Sequence, residues 1–172
     1  KTHKWNPEDY ERSSSAQYGW AMALISELEL CGDERILDIG CGDGRITAHL
    51  AGMVPGGSVL GVDLSPEMVG FAASRHAGQP NLSFQVADAS LLPYREQFNL
   101  VVSFACLHWI KDQLPVLRSV LQSLVPGGCL WDLQLISEVE RVYATWGLQL
   151  IERNRIFWDL WLRQPPEGSD EI

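Results

Sequence analysis

The stretch ILDIGCGDGRIT at residues 36–47 decides the fold. Ile36, Leu37 and Ile39 make a short apolar run of the kind that forms a buried strand. Gly40, Gly42 and Gly44 follow at alternate positions, and residues 45–53 suit a helix. The stretch reads as a strand, a tight turn and a helix start. Glycine serves such a turn because it adopts positive φ at little cost, and its missing Cβ lets a ligand approach the backbone. A dinucleotide fingerprint would place its third glycine at position 45, where Arg45 stands, and a P-loop would need Gly-Lys-Ser or Gly-Lys-Thr. Both phosphate readings are weakened. Asp38 weakens them further, since a carboxylate beside the turn repels a pyrophosphate and suits a ligand bearing an amino or sulfonium group.

A second acid supports this direction. Residues 58–64, SVLGVDL, form a short apolar strand delivering Asp63, about where an acid holding the ribose hydroxyls of an adenosine ligand should lie. DIGCGDGR followed by GVDLSPEM resembles motif I and the next motif of the class I S-adenosylmethionine-dependent methyltransferases, and the matching motifs cover roughly residues 34–131. The resemblance implies S-adenosylmethionine as cofactor and S-adenosylhomocysteine as its product. It also implies a cofactor site made by Asp38, Gly40, Cys41, Gly42, Gly44, Asp63, Leu64, Met68, Ala87, Asp88, Ala89 and Ser103. In that pattern Asp63 holds the ribose, Asp88 meets the exocyclic amine of adenine, and the glycine main chain passes close to the methionine part. A carboxylate accepting from an N–H₂ group discriminates adenine from bases with a carbonyl there. Asp88 also reads as a helix N-cap.

The 172 residues are enough for one domain with a real core, and 46% hydrophobic with 20% charged residues is a globular composition. We divide the single domain into an N-terminal arm and helix (1–33), a cofactor-binding core (34–135) and a C-terminal helical segment (136–172). No apolar run is long enough for a bilayer and KTHKWNPEDY lacks a signal-peptide core, which predicts a cytoplasmic protein with no membrane partner. A net charge of −9, with only 13 Lys and Arg, argues against a nucleic-acid partner and favours a small substrate. Cys31, Cys41, Cys106 and Cys129 form no C-x-x-C pair, so they read as free thiols rather than as a metal or redox site.

Along the chain, a Ser13–Ser15 cap and the spacing of Trp20, Leu24, Leu28 and Cys31 predict a helix over about 16–30. Trp5, Tyr10 and Tyr18 read as packing of the arm, or by resemblance as part of a cover over the site. Ser65-Pro66-Glu67 opens a helix to about His76, LSFQV at 82–86 is a third strand, and QFNLVVS at 97–103 a fourth. In the following Phe104-Ala-Cys-Leu-His-Trp109, His108 is a candidate substrate contact at a strand end, and Trp109 is expected in the core. Residues 111–124 read as a helix, Val125-Pro126-Gly127-Gly128 as its stop, and 129–135 as a fifth strand. This alternation predicts an α/β, Rossmann-like doubly wound sheet of parallel strands in order 3-2-1-4-5, with the ligand at the switch point between strands one and four.

Residues 137–163 carry a Ser137–Glu140 capping box and apolar residues at helical spacing through Phe157 and Trp161, which predicts one or two helices stopped by Pro165-Pro166. The usual strands six and seven have no visible counterpart. Strand five is thus expected to be an open edge, which leaves three readings: a fragment of a longer protein, a naturally short form, or one half of a homodimer that covers the edge, with association or limited solubility expected.

The Trp-Asn-Pro start, Tyr10, Gln17, GVDLSPEM and SFACLHW resemble the trans-aconitate and juvenile hormone acid methyltransferase types. Both esterify a carboxylate, implying a small carboxylic acid as acceptor, with His108, Arg141, Arg153 and Arg155 as candidate partners for it. No catalytic triad is expected. The alternatives are a binding protein without turnover and a nicotinamide dehydrogenase, the latter disfavoured by the glycine spacing.

Overall fold

The computed structural model describes residues 15–135 and 157–163. Six strands make one sheet in the order β3-β2-β1-β4-β5-β6. Strands β1 (Arg35–Ile39), β2 (Ser58–Asp63), β3 (Leu82–Val86), β4 (Phe98–Phe104) and β5 (Leu124–Leu135) are parallel, and β6 (Phe157–Arg163) is antiparallel to β5. The predicted order 3-2-1-4-5 is present. β1 lies centrally, with Ile36 facing Val59 on one side and Leu100 on the other.

Parallel strands need crossovers, and helices supply them on both faces. Helices α1 (Ser15–Ile25) and α2 (Arg45–Met53) close one face, where Ile25, Leu50 and Ala51 bury against Ile36, Leu100, Val102 and Trp131. Helix α4 (Leu114–Ser123) closes the other with Val116, Leu117 and Val120 against Leu37, Val101 and Leu130. Helix α3 (Pro66–Arg75) starts as its sequence predicts, with Ser65 Oγ accepting from the Met68 N–H at 3.3 Å and Pro66 in the first turn. Among the described residues no helix is long and apolar enough to cross a membrane.

One side chain ties two layers together. Asn81, just before β3, donates through Nδ2 to the carbonyls of Ala51 (2.8 Å) and Val54 (2.9 Å) at the end of α2. Removing that donor leaves two partly buried carbonyls to find other partners. Asn81→Ala is expected to cost about 1–3 kcal/mol, read from denaturant midpoints at unchanged slope.

Three elements differ from the sequence reading. Helix α1 ends at Ile25 rather than near Leu30, and Ser26 Oγ donates back to the Ala23 carbonyl at 2.6 Å. Such local bonding competes with helix continuation, although Leu28 and Leu30 still pack on the core. Pairing of β5 begins at Leu124, opposite Phe98, and resumes with Cys129 opposite Leu100. The Val125-Pro126-Gly127-Gly128 segment is therefore an outward loop within the strand, where Gly127 takes φ 80° and a Cβ on Gly128 would meet the Asn99 carbonyl at 3.1 Å.

The largest correction concerns the C-terminus. Phe157 and Trp161, read as one face of a helix, lie in β6, which pairs along β5 from Cys129 opposite Arg163 to Leu135 opposite Phe157. Residues four apart share a face in a strand as well as in a helix, so that pair could not separate the two. One of the two closing strands is thus present. The β5 edge that motivated the homodimer reading is covered by this chain's own β6. Trp5, Tyr10, Gln17's side chain, Arg141, Arg153, Arg155 and the 137–156 part of the helical segment predicted over 137–163 fall outside what the structure describes.

Candidate cofactor-binding site

The carboxyl ends of β1, β2, β3 and β4 surround a cleft of about 760 Å³. It lies at the switch point, where the sheet order reverses between β1 and β4. The floor is the glycine turn after β1. Gly40 sits at φ 77°, and a Cβ there would come within 2.4 Å of Cys106 Cβ and Sγ. The absent side chain therefore makes room for the neighbouring strand end as well as for a ligand. Gly44, at φ 79°, packs under Phe84 and Ala72, where a Cβ would meet Phe84 Cζ at 2.7 Å.

Backbone bonds hold the turn rigid. The N–H groups of Gly40 and Cys41 both donate to the Val62 carbonyl, at 2.8 and 3.0 Å, and Gly44 N–H donates to Cys41 O at 2.9 Å. Gly42 N–H donates to Asp63 Oδ2 at 3.1 Å, while Ser65 N–H donates to Asp63 Oδ1 at 2.9 Å. One amide on each oxygen fixes the plane of the Asp63 carboxylate, which lines the cleft with Leu64 and Met68. Carboxylates have about four lone-pair sites, so both oxygens can still accept from a ligand.

Asp88 stands across the cleft after β3. Its Oδ1 takes two bonds from Ser90, the N–H at 2.8 Å and the hydroxyl at 2.7 Å. These side-chain and backbone bonds hold the Asp88 carboxyl below the usual range, so it is ionised at neutral pH. Ala87 and Ala89 flank it in the wall.

The expected site residues divide into two groups. Gly40, Gly42, Asp63, Leu64, Met68, Ala87, Asp88 and Ala89 line the cleft. Asp38, Cys41, Gly44 and Ser103 support it from beneath. Asp38 is 2% exposed and accepts from the Thr47 hydroxyl at 2.7 Å. Burial pushes its carboxyl up to about 7, with Asp63 adding to the rise and Thr47 opposing it. Ser103 is fully buried between Ile39 and Asp132 in register, and its Oγ has no hydrogen-bond partner among the described residues. Cys41 is buried, and desolvation raises its thiol beyond the usual range, with Asp38 and Asp63 acting in the same sense. The side chain of His108 lies outside the described set.

Asp38 carries a pH prediction. A carboxyl raised from 3.8 to about 7 keeps its proton in the folded state while the unfolded chain has lost it. Below about pH 4 both states are protonated and nothing is lost. Stability contributed by this group falls as pH rises from 4 to 7, by up to about 4 kcal/mol, and is constant above. The melting temperature of Asp38→Asn relative to the parent chain should therefore climb between pH 4.5 and 7 and then level off.

The resemblance implied that the segment after β4 faces the ligand, but the reading of its residues misplaced Trp109. Trp109, expected in the core, is 71% exposed and lines the cleft, while Leu107, at 1%, is the residue that plugs the core. Phe104, Ala105, Cys106, Ile110, Asp112 and Pro115 complete that side. The chain turns there through Ala105 at φ 54°, an uncommon conformation for a residue with a side chain. Cys106 is pushed up to about 12, chiefly by burial and then by Asp63, Asp132 and Asp38, and stays a thiol. Among the described residues no group of three or more His, Cys, Asp or Glu side chains is placed to hold a metal ion.

Comparison with known proteins agrees with this geometry. A methyltransferase domain family model matches residues 36–128. A putative methyltransferase from Invertebrate iridescent virus 6 is 30% identical over 138 residues, covering 80% of this chain and 51% of its own length. A trans-aconitate 2-methyltransferase from Deinococcus radiodurans is 36% identical over 129 residues, covering 73% of this chain and 47% of its own. The chain thus spans about half the length of the curated relatives it matches. The crystal structure of a SAM-dependent methyltransferase from Aquifex aeolicus superposes with a TM-score of 0.73 over 93% of this chain and 99% of that one, at 18% identity, which shows a shared fold. With its sheet order, glycine turn and matched domain, this chain belongs to the class I, S-adenosylmethionine-dependent methyltransferase family.

Proposed function

We propose that this chain binds S-adenosylmethionine in the cleft and transfers its methyl group to a small-molecule acceptor. The observation that carries the reading is Asp63, clamped by the Gly42 and Ser65 amides on the wall of the cleft beside the glycine turn. An acid so fixed suits a pair of vicinal hydroxyls. Asp88, ionised and held by Ser90, suits an exocyclic amine. The side-chain-free edge at Gly40 and Gly42 fits the close passage of a methionine chain.

The bound sulfonium supplies an already activated methyl group, so the protein need not create the electrophile. Its residues must orient the acceptor in line and exclude water. Such orientation is worth ~7–11 kcal/mol in favourable cases, which makes a dedicated base unnecessary for an acceptor that is already a nucleophile. Similarity to the trans-aconitate methyltransferases supports a carboxylate oxygen as that nucleophile. The four free cysteines suit a reducing compartment, and we place the reaction in the cytoplasm.

The test is mass-spectrometric detection of S-adenosylhomocysteine formed with a panel of carboxylic acids. Acid-dependent product is the expected result. Cofactor binding without product from any acceptor would instead identify a binding protein that does not turn over.

A further inference from the structure

Once the cofactor is assigned to Gly40, Gly42, Asp63 and Asp88, the wall formed by residues 104–115 remains for the acceptor. It is built from Phe104, Trp109, Ile110 and Pro115, and among the described lining residues of this wall Asp112 is the charged one. The wall is held in place. The N–H groups of Trp109 and Ile110 donate to the carbonyls of Cys106 and Leu107, both at 3.0 Å, and Gln113 Nε2 donates to Leu107 O at 3.2 Å. Asp112 Oδ1 accepts from the Leu114 N–H at 3.3 Å, which anchors the acid at the start of α4. Leu107, buried at 1%, pins the turn to the core, while Trp109 two residues later is 71% exposed into the cleft.

Two physical features of this wall select an acceptor. An indole presented to solvent gains from being covered by apolar surface, in proportion to the area removed from water. Electrostatics act in the same direction, because Asp63, Asp88 and Asp112 all face the one cleft and the chain carries a net charge of −9. A ligand with several negative charges would be repelled from every side that these acids occupy.

We infer that the acceptor has an apolar body and carries at most one negative charge, with Trp109 as the surface on which that body rests. Polyacids such as trans-aconitate are then poor ligands for this cleft. The inference rests on the cofactor reading above, since that reading is what leaves the 104–115 wall to the acceptor.

The experiment is calorimetric titration of the chain, first with S-adenosylhomocysteine and then, in its loaded form, with decanoate or trans-aconitate. Decanoate is expected to bind one to one and at least tenfold more tightly than trans-aconitate. Trp109→Ala should lower decanoate affinity about tenfold while shifting S-adenosylhomocysteine affinity less than threefold, and Trp109→Phe should restore most of the loss. Trans-aconitate binding as tightly as decanoate overturns the inference, as does a loaded protein that ignores decanoate or a Trp109→Ala variant that binds it unchanged. Failure of S-adenosylhomocysteine itself to bind is seen before any acceptor is added, and it overturns the cofactor reading and this inference together.

Discussion

Replacing Asp63 by alanine is expected to weaken cofactor binding by 10²-fold or more, the larger of the two main effects foreseen. The carboxylate is fixed by amides on both oxygens, 3.1 Å from Gly42 N and 2.9 Å from Ser65 N, so little ordering remains to be lost when a ribose arrives. A hydrogen bond to a charged group contributes about 1.5–3 kcal/mol, and two hydroxyls lost together correspond to roughly 10²–10⁴ in affinity. The substitution also leaves the Gly42 amide without its acceptor, loosening the turn on which the methionine part would lie. Asp63→Asn keeps an oxygen for one amide and should fall between the two. Calorimetry with S-adenosylhomocysteine, at pH values where the parent and variant are both folded, reads the effect directly.

The second large effect is expected at Gly40. Alanine there must adopt φ 77°, which costs an L-residue about 1–2 kcal/mol, and its Cβ would lie 2.4 Å from Cys106 Cβ and Sγ. Neither neighbour can yield freely, since Cys106 follows the left-handed Ala105 at the tip of β4. Relief of the clash must push the β4 end or the glycine turn into the cleft. Gly40→Ala should therefore lose both stability and cofactor affinity, the latter by at least tenfold. Gly70→Ala makes the contrasting control. A Cβ on Gly70 meets nothing within 4 Å, and the site lies inside α3, so that variant should be more stable by about 0.5–1 kcal/mol. Thermal melts of the pair separate a general glycine effect from a local one.

Much of this architecture is legible in the residues because local signals and global order agree. The run before Gly40, the Ser65-Pro66-Glu67 start and the apolar LSFQV each mark their elements to within a residue or two. Their alternation dictates a parallel sheet with a switch point. Asp63 and Asp88 are legible as cleft residues for the same reason, since one ends β2 and the other follows β3 by two residues, on the side where such sheets bind ligands. What failed did so where two structures share one periodicity or where direction decides the outcome. Phe157 and Trp161 fit a strand as well as a helix. Trp109 and Leu107 are two residues apart in a single short turn, and no pattern in LHW tells which of them faces the core and which the cleft. Asp38 illustrates depth. Its place one residue before Ile39 looks like a ligand contact, yet strand alternation turns it into the layer under α2, where Thr47 accommodates it. It lies buried beneath the cleft rather than among the residues that line it.

The central claim is that the cleft between β1 and β4 holds S-adenosylmethionine. Calorimetric titration of the chain with S-adenosylhomocysteine, beside Asp63→Ala, tests it most directly. The account predicts one site per chain with micromolar affinity in the parent and no measurable heat in the variant. A folded parent chain that takes up no ligand, or a variant that binds as well as the parent, would contradict it.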